Sequence, residues 1–72
     1  MAKEKQPPAA KFRLGFVTAT VWRNSEFFSV ELTRSYKDND GEWRDGHSLN
    51  SGDLLNAAKV LQRAEEFIAN QA

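Results

Sequence analysis

The chain has 72 residues, ten Lys/Arg against ten Asp/Glu, two tryptophans, one histidine and no cysteine. That length allows one small domain, and the missing thiols exclude disulfides and thiolate metal sites. One histidine, His47, builds no imidazole metal site, and no apolar run approaches the ~20 residues of a membrane span.

Residues 1–10 carry Lys3, Glu4, Lys5, Pro7 and Pro8 with no apolar periodicity and read as a disordered N-terminal tail. They lack an apolar signal core, so a cytoplasmic, reducing setting is expected. Residues 11–72 form the single domain. At roughly 60 ordered residues a chain buries only about 60% of its unfolded surface and is marginal alone. With disulfides and metal excluded, oligomerisation is the remaining staple, and a homodimer is expected.

Lys11 to Lys37 reads as a hairpin folded about Asn24-Ser25, a two-residue loop without the preferred Asn-Gly. Counting outward pairs Trp22 with Phe27, Val21 with Phe28, Ala19 with Val30 and Val17 with Leu32. Alternation then gathers Val17, Ala19, Val21, Phe28, Val30 and Leu32 on one aliphatic face. The other face collects Phe16, Trp22 and Phe27 among Thr18, Thr20, Ser29, Glu31 and Thr33. A half-buried hairpin needs only the first face, so the second is expected to bind something. Gly15 interrupts the first strand as a bulge or bend; if it bends the chain, Lys11–Leu14 becomes a further strand.

Asp38-Asn39-Asp40-Gly41 is a second turn, with Gly41 able to take positive φ. Glu42–Leu49 then makes a short strand anchored by Trp43. Asn50 or Ser51 caps a helix, and Asp53 complements the positive end of its dipole. Leu54, Ala57, Ala58, Leu61, Ala64, Phe67 and Ile68 recur at three- and four-residue steps, an amphipathic stripe of about four turns. Laid on the aliphatic sheet face, this helix completes an α+β fold. It is a curved antiparallel sheet of three to four strands followed by one C-terminal helix, with the opposite sheet face left open.

Catalysis wants a nucleophile beside a base, or paired carboxylates in a cleft. His47 has no such partner in the sequence, so no enzymatic role and no cofactor or small-molecule substrate is expected. The acidic run at 38–42 fails as a calcium loop: with Gly41 at the sixth position, Tyr36 and His47 fall where carboxylates belong. A tight polar turn explains it. Charge is zoned. Residues 11–37 hold five cations (Lys11, Arg13, Arg23, Arg34, Lys37) against Glu26 and Glu31, while 38–45 hold four carboxylates against Arg44. A local positive field steers an anion even on a neutral chain, although decorated exposed strands explain the same count. Trp22, Phe27, Phe16, Trp43 and Tyr36 exceed what one helix covers. They serve either a protein interface, where Trp and Tyr are enriched, or stacking platforms for unpaired bases beside phosphate-binding cations.

From Phe12 to about Leu61 the chain resembles the single-stranded-DNA-binding domain of the transcriptional coactivator positive cofactor four and its Whirly-type relatives. The resemblance rests on Phe12-Arg13-Leu14-Gly15, the alternating strands leading to Ser35-Tyr36-Lys37-Asp38, the Gly41-Glu42 turn, and Ser48-Leu49-Asn50 before the helix. It implies a homodimer that lays single strands across curved sheet faces, weakly sequence-specific, in transcription, replication or repair. Single-stranded DNA is the implied partner, with RNA an alternative. The implied contacts are Lys11, Arg13, Arg23, Arg34, Tyr36 and Lys37. Trp22 and Phe27 join them by their place on the outer face, while Trp43 serves stacking or dimer packing and Arg44 a phosphate. The chain departs from the pattern in having few sheet lysines and in placing Glu31 on the outer face. A protein-interaction module using the same aromatic face is the rival reading.

Overall fold

The computed structural model describes residues 7–71. Four strands form an antiparallel meander in the order β1 (Ala10–Leu14), β2 (Val17–Arg23), β3 (Phe28–Lys37) and β4 (Trp43–Gly46). A single 3-10 turn, Ser51–Asp53, leads into helix α1 (Leu54–Ala69). No helix among the described residues is long and apolar enough to cross a membrane. The expected tail lies outside the described residues over 1–6. Its last residue, Ala10, instead opens β1, and the Ala9 N–H donates to Val21 O at 2.8 Å.

Gly15 resolves the strand count at four. It lies with Phe16 between the paired residues Leu14 and Val17, at φ 63°, and Phe16 has negative φ. Positive φ at the first central position alone is the type II′ arrangement, which a side chain there would disfavour. The chain therefore reverses fully, and β1 lies beside β2. The helix crosses just below this turn: a Cβ on Gly15 would sit 2.7 Å from Asn56 Nδ2.

The β2–β3 hairpin turns one residue later than expected. Asn24 N–H donates to Phe27 O at 2.7 Å, leaving Ser25-Glu26 as the loop. Trp22 therefore faces Ser29, Val21 faces Val30, Ala19 faces Leu32 and Val17 faces Arg34. Every partner has slipped by two residues relative to the expected register. A slip of two preserves which side chains share a face, so the hydrophobic pattern is blind to it. Phe27 is the residue displaced: it stands in the turn, 60% exposed, away from Trp22.

At the third turn the Asp38 carboxylate takes over the turn's backbone. Its Oδ1 accepts from the Asp40 and Glu42 N–H groups, both at 2.9 Å, and Oδ2 pairs with Arg44 Nε. Arg44 first, then the Glu42 amide, holds the Asp38 carboxyl below its ordinary value. The stabilisation is therefore complete above the usual aspartate range and fades as pH falls through the lowered value. Gly41 takes positive φ, 81°.

The core is small. Val17, Ala19 and Val21 from β2 meet Ala57, Val60 and Ala64 from α1, with Phe12, Leu14, Phe28, Leu32, Phe67 and Ile68 packed around them. Small residues on both sides let the helix approach closely; the largest fully buried side chains are valines. Phe67 sits edge-on to both Phe12 and Phe28, at 6.3 Å in each case. The buried stripe is rotated from the expected one. Val60 is in it, whereas Leu54 and Leu61 are 54% and 41% exposed and Ala58 is also exposed. The reason is lateral placement. Helix α1 packs on β1 and β2 and only marginally on β3, so the stripe tilts towards the first hairpin.

The helix start is fixed from the sheet. Asp53 Oδ2 accepts the Asn50 N–H at 2.9 Å and pairs with Arg34 Nε at 3.2 Å. Arg34 Nε also donates to Ser48 O at 3.2 Å. One β3 guanidinium thus ties the β4–α1 connection to the sheet.

Candidate nucleic-acid interface

Alternation decides which side chains meet on the face that the helix leaves bare. The even residues of β2 (Thr18, Thr20, Trp22) and the odd residues of β3 (Ser29, Glu31, Thr33, Ser35, Lys37) share it. Lys11 and Arg13 of β1 pair with Thr20 and Thr18, and Asp45 and Trp43 of β4 pair with Ser35 and Lys37. All of them but Ser29, Lys37 and Trp43, which lie on the face beyond it, floor a groove of about 580 Å³, walled also by Pro8 and His47.

The groove is graded across its width. Its β1 side is cationic: Lys11 and Arg13 are exposed, and Arg13 is aimed along the strand by donating from Nε to Gly15 O at 3.1 Å. Its floor is hydroxyl-rich, with Thr18, Thr20 and Thr33. Its β3–β4 side carries two carboxylates. Asp45 accepts from the Ser35 hydroxyl at 3.0 Å, while Glu31 is exposed and has no hydrogen bond or ion pair among the described residues. His47 donates from Nδ1 to Leu32 O at 2.9 Å, which fixes its ring at the same border.

Aromatic rings close the face at its two ends. Trp22, half-buried, stands at one end. At the other, Phe16 and Trp43 stack at 5.8 Å with an interplanar angle of 27°, and Lys37 Nζ lies 5.6 Å from the Trp43 ring centre. Phe16 and Trp43 remain 51% and 59% exposed. Their rings are therefore available to a flat ligand.

Of the residues expected to bind, five share this face: Lys11, Arg13, Trp22, Lys37 and Trp43. The other five do not. Arg34, Tyr36 and Arg44 project from the helix side, because even positions of β3 pair with even positions of β4. There Arg34 is tied to Asp53 and covers the Tyr36 ring at 5.5 Å, and Arg44 pairs with Asp38. Arg23 lies opposite Phe28, with its guanidinium 5.3 Å from that ring centre. Phe27 is in the turn. Phe16, Thr18, Thr20 and Thr33 lie on this face as alternation along the strands leads one to expect, and the site gains Ser35, Asp45 and His47. His47 and Asp45 needed the β3–β4 register.

Comparison of the chain with protein-family models, curated proteins and solved structures returns no match.

Proposed function

We propose that the open sheet face binds single-stranded nucleic acid, with weak sequence preference, in a process such as transcription, replication or repair. One observation carries this reading: the uncovered face holds a groove with cations along one side, with the half-buried Trp22 at one end of the face and the exposed Phe16–Trp43 pair at the other. Single-strand binders combine these two features, because cations track the backbone while rings accept bases of any kind. Lys11, Arg13 and Lys37 are the phosphate contacts, and Trp22 with the Phe16–Trp43 pair are the platforms. The resemblance to positive-cofactor-four domains adds weight. The test is a titration of a labelled single-stranded oligonucleotide at several salt concentrations, with duplex as control. Three phosphate contacts predict a log–log salt slope of about −2, at −0.7 per contact for single strands. Absence of binding at low salt overturns the reading, and affinity for a protein segment that ignores salt would favour the rival interaction module.

We also infer that the protein works as a homodimer, joined through the flank of α1 that lies towards β3. Helix α1 covers β1 and β2 and only marginally β3, which leaves sheet surface bare beside it, and Leu54 and Leu61 stand exposed along the helix. Val30 and Tyr36 are 38% and 37% exposed on that same side of the sheet. A core with nothing larger than valine fully buried among the described residues gains most from covering these groups. A second copy fits because the chain carries no net charge and copies do not repel. Leu54→Glu/Leu61→Glu is expected to convert a dimer to a monomer in sedimentation analysis with the helical circular dichroism retained. A wild-type chain that stays monomeric at high micromolar concentration would remove this inference.

A further inference from the structure

Glu31 is an awkward residue for a face that receives a polyanion. It stands inside the groove, in register across the sheet with Thr20 and then Lys11. Two strand spacings separate it from Lys11, roughly 10 Å between backbones. A nucleotide whose phosphate sits on Lys11 or Arg13 therefore extends its base across the threonine floor towards Glu31. Asp45, the other carboxylate, already accepts from Ser35; Glu31 has both oxygens without a partner among the described residues.

An ionised carboxylate only accepts hydrogen bonds. It repels the carbonyl oxygens and ring acceptors of a pairing edge and rewards N–H groups. Guanine is the base whose pairing edge carries two adjacent donors, N1–H and the 2-amino group, spaced for both oxygens of one carboxylate. Adenine and cytosine present one donor beside a ring acceptor. Thymine and uracil present one N–H between two carbonyls. Unpaired bases are open to readout on this edge, and discrimination arises as much from the repelled bases as from the accepted one.

We propose that Glu31 is a specificity-determining residue of the groove, accepting from the guanine pairing edge and making guanine-containing single strands the preferred ligand. The proposal rests on the reading of the groove as a single-strand site. It turns the negative charge from an obstacle to phosphate into a base selector.

The test compares three labelled oligomers of equal length by fluorescence anisotropy at low salt. The first is oligo-thymidylate, the second carries isolated guanines at every third position, and the third carries inosine there, which keeps N1–H and lacks the 2-amino group. The guanine oligomer is expected to bind roughly tenfold tighter than oligo-thymidylate, the range of one two-point base contact, with inosine between them. In Glu31→Ala the ratio between guanine and thymidine oligomers is expected to fall to about one. Equal affinities in the wild type, or a guanine advantage that survives in Glu31→Ala, overturn the proposal while leaving the single-strand reading standing. Failure of all three oligomers to bind overturns that reading, and the proposal with it.

Discussion

Replacing Arg34 by alanine is expected to lower the unfolding free energy by about 2–3 kcal/mol, because it strands Asp53 in a mostly covered site. The side chains of Arg34 and Asp53 are only 19% and 15% exposed, so water compensates poorly for the missing partner. The value stays below that of a fully buried pair because both groups keep some solvent. Three connections are lost together: the ion pair, the bond to Ser48 O, and the cover over the Tyr36 ring. For a domain of this size the loss lowers the melting temperature by roughly 10–20 °C. Oligonucleotide affinity, measured well below that melting point, is expected to stay near wild type, since Arg34 projects on the helix side. Arg13→Ala is expected to do the reverse, with weaker binding at near-unchanged stability. A melting temperature within about 2 °C of wild type in Arg34→Ala would refute the structural role. Collapse of binding in the folded variant would return Arg34 to the site.

That contrast shows what the sequence reveals and what it conceals. The alternation of Val17, Ala19 and Val21 against Phe28, Val30 and Leu32 fixes the buried face, because side-chain period and burial are coupled directly. The glycine at 15 and the acidic turn at 38–41 mark two reversals, because positive φ and side-chain-to-backbone bonds are local chemistry. The register between β2 and β3 is less legible. Ser25-Glu26 is a turn without glycine or positive φ, so no local preference singles it out over Asn24-Ser25. The cations are less legible still. Arg13 and Arg34 look alike in a linear chain, yet one borders the open groove and the other meets Asp53, nineteen positions further on. Parity within β3 separates Arg34 from Glu31 and Lys37. The helix stripe misleads for a related reason: Leu54 and Leu61 satisfy the spacing of a core residue, and only the offset of α1 towards β1 leaves them outside.

The largest effect on binding is expected from the aromatic rings at the two ends of the open face. Each base stacked on an aromatic ring contributes about 1–3 kcal/mol by alanine substitution. Trp22→Ala and Trp43→Ala are therefore each expected to weaken single-strand binding by roughly tenfold. The two ends lie far apart: Trp22 is opposite Ser29 and Trp43 opposite Lys37, eight β3 residues away. At ~3.3 Å per residue that is about 26 Å, well beyond the range at which substitutions couple. The double variant is accordingly expected to lose about a hundredfold, the product of the single losses. Removing Trp43 also takes the partner from Phe16 and the ring from Lys37, so its single loss should be the larger of the two. Phe27→Ala provides the contrast, since that ring is as exposed as Trp43 yet stands in the hairpin turn beside Asn24 and Phe28; its expected loss is less than about twofold. Anisotropy titrations with a labelled oligomer give the ratios, and circular dichroism confirms that each variant is folded. If the Trp22/Trp43 double variant binds as tightly as the wild type, bases do not stack on these rings. Retained salt dependence would then leave Lys11, Arg13 and Lys37 as a purely electrostatic site, and a loss in Phe27→Ala equal to that in Trp43→Ala would move the platform to the turn.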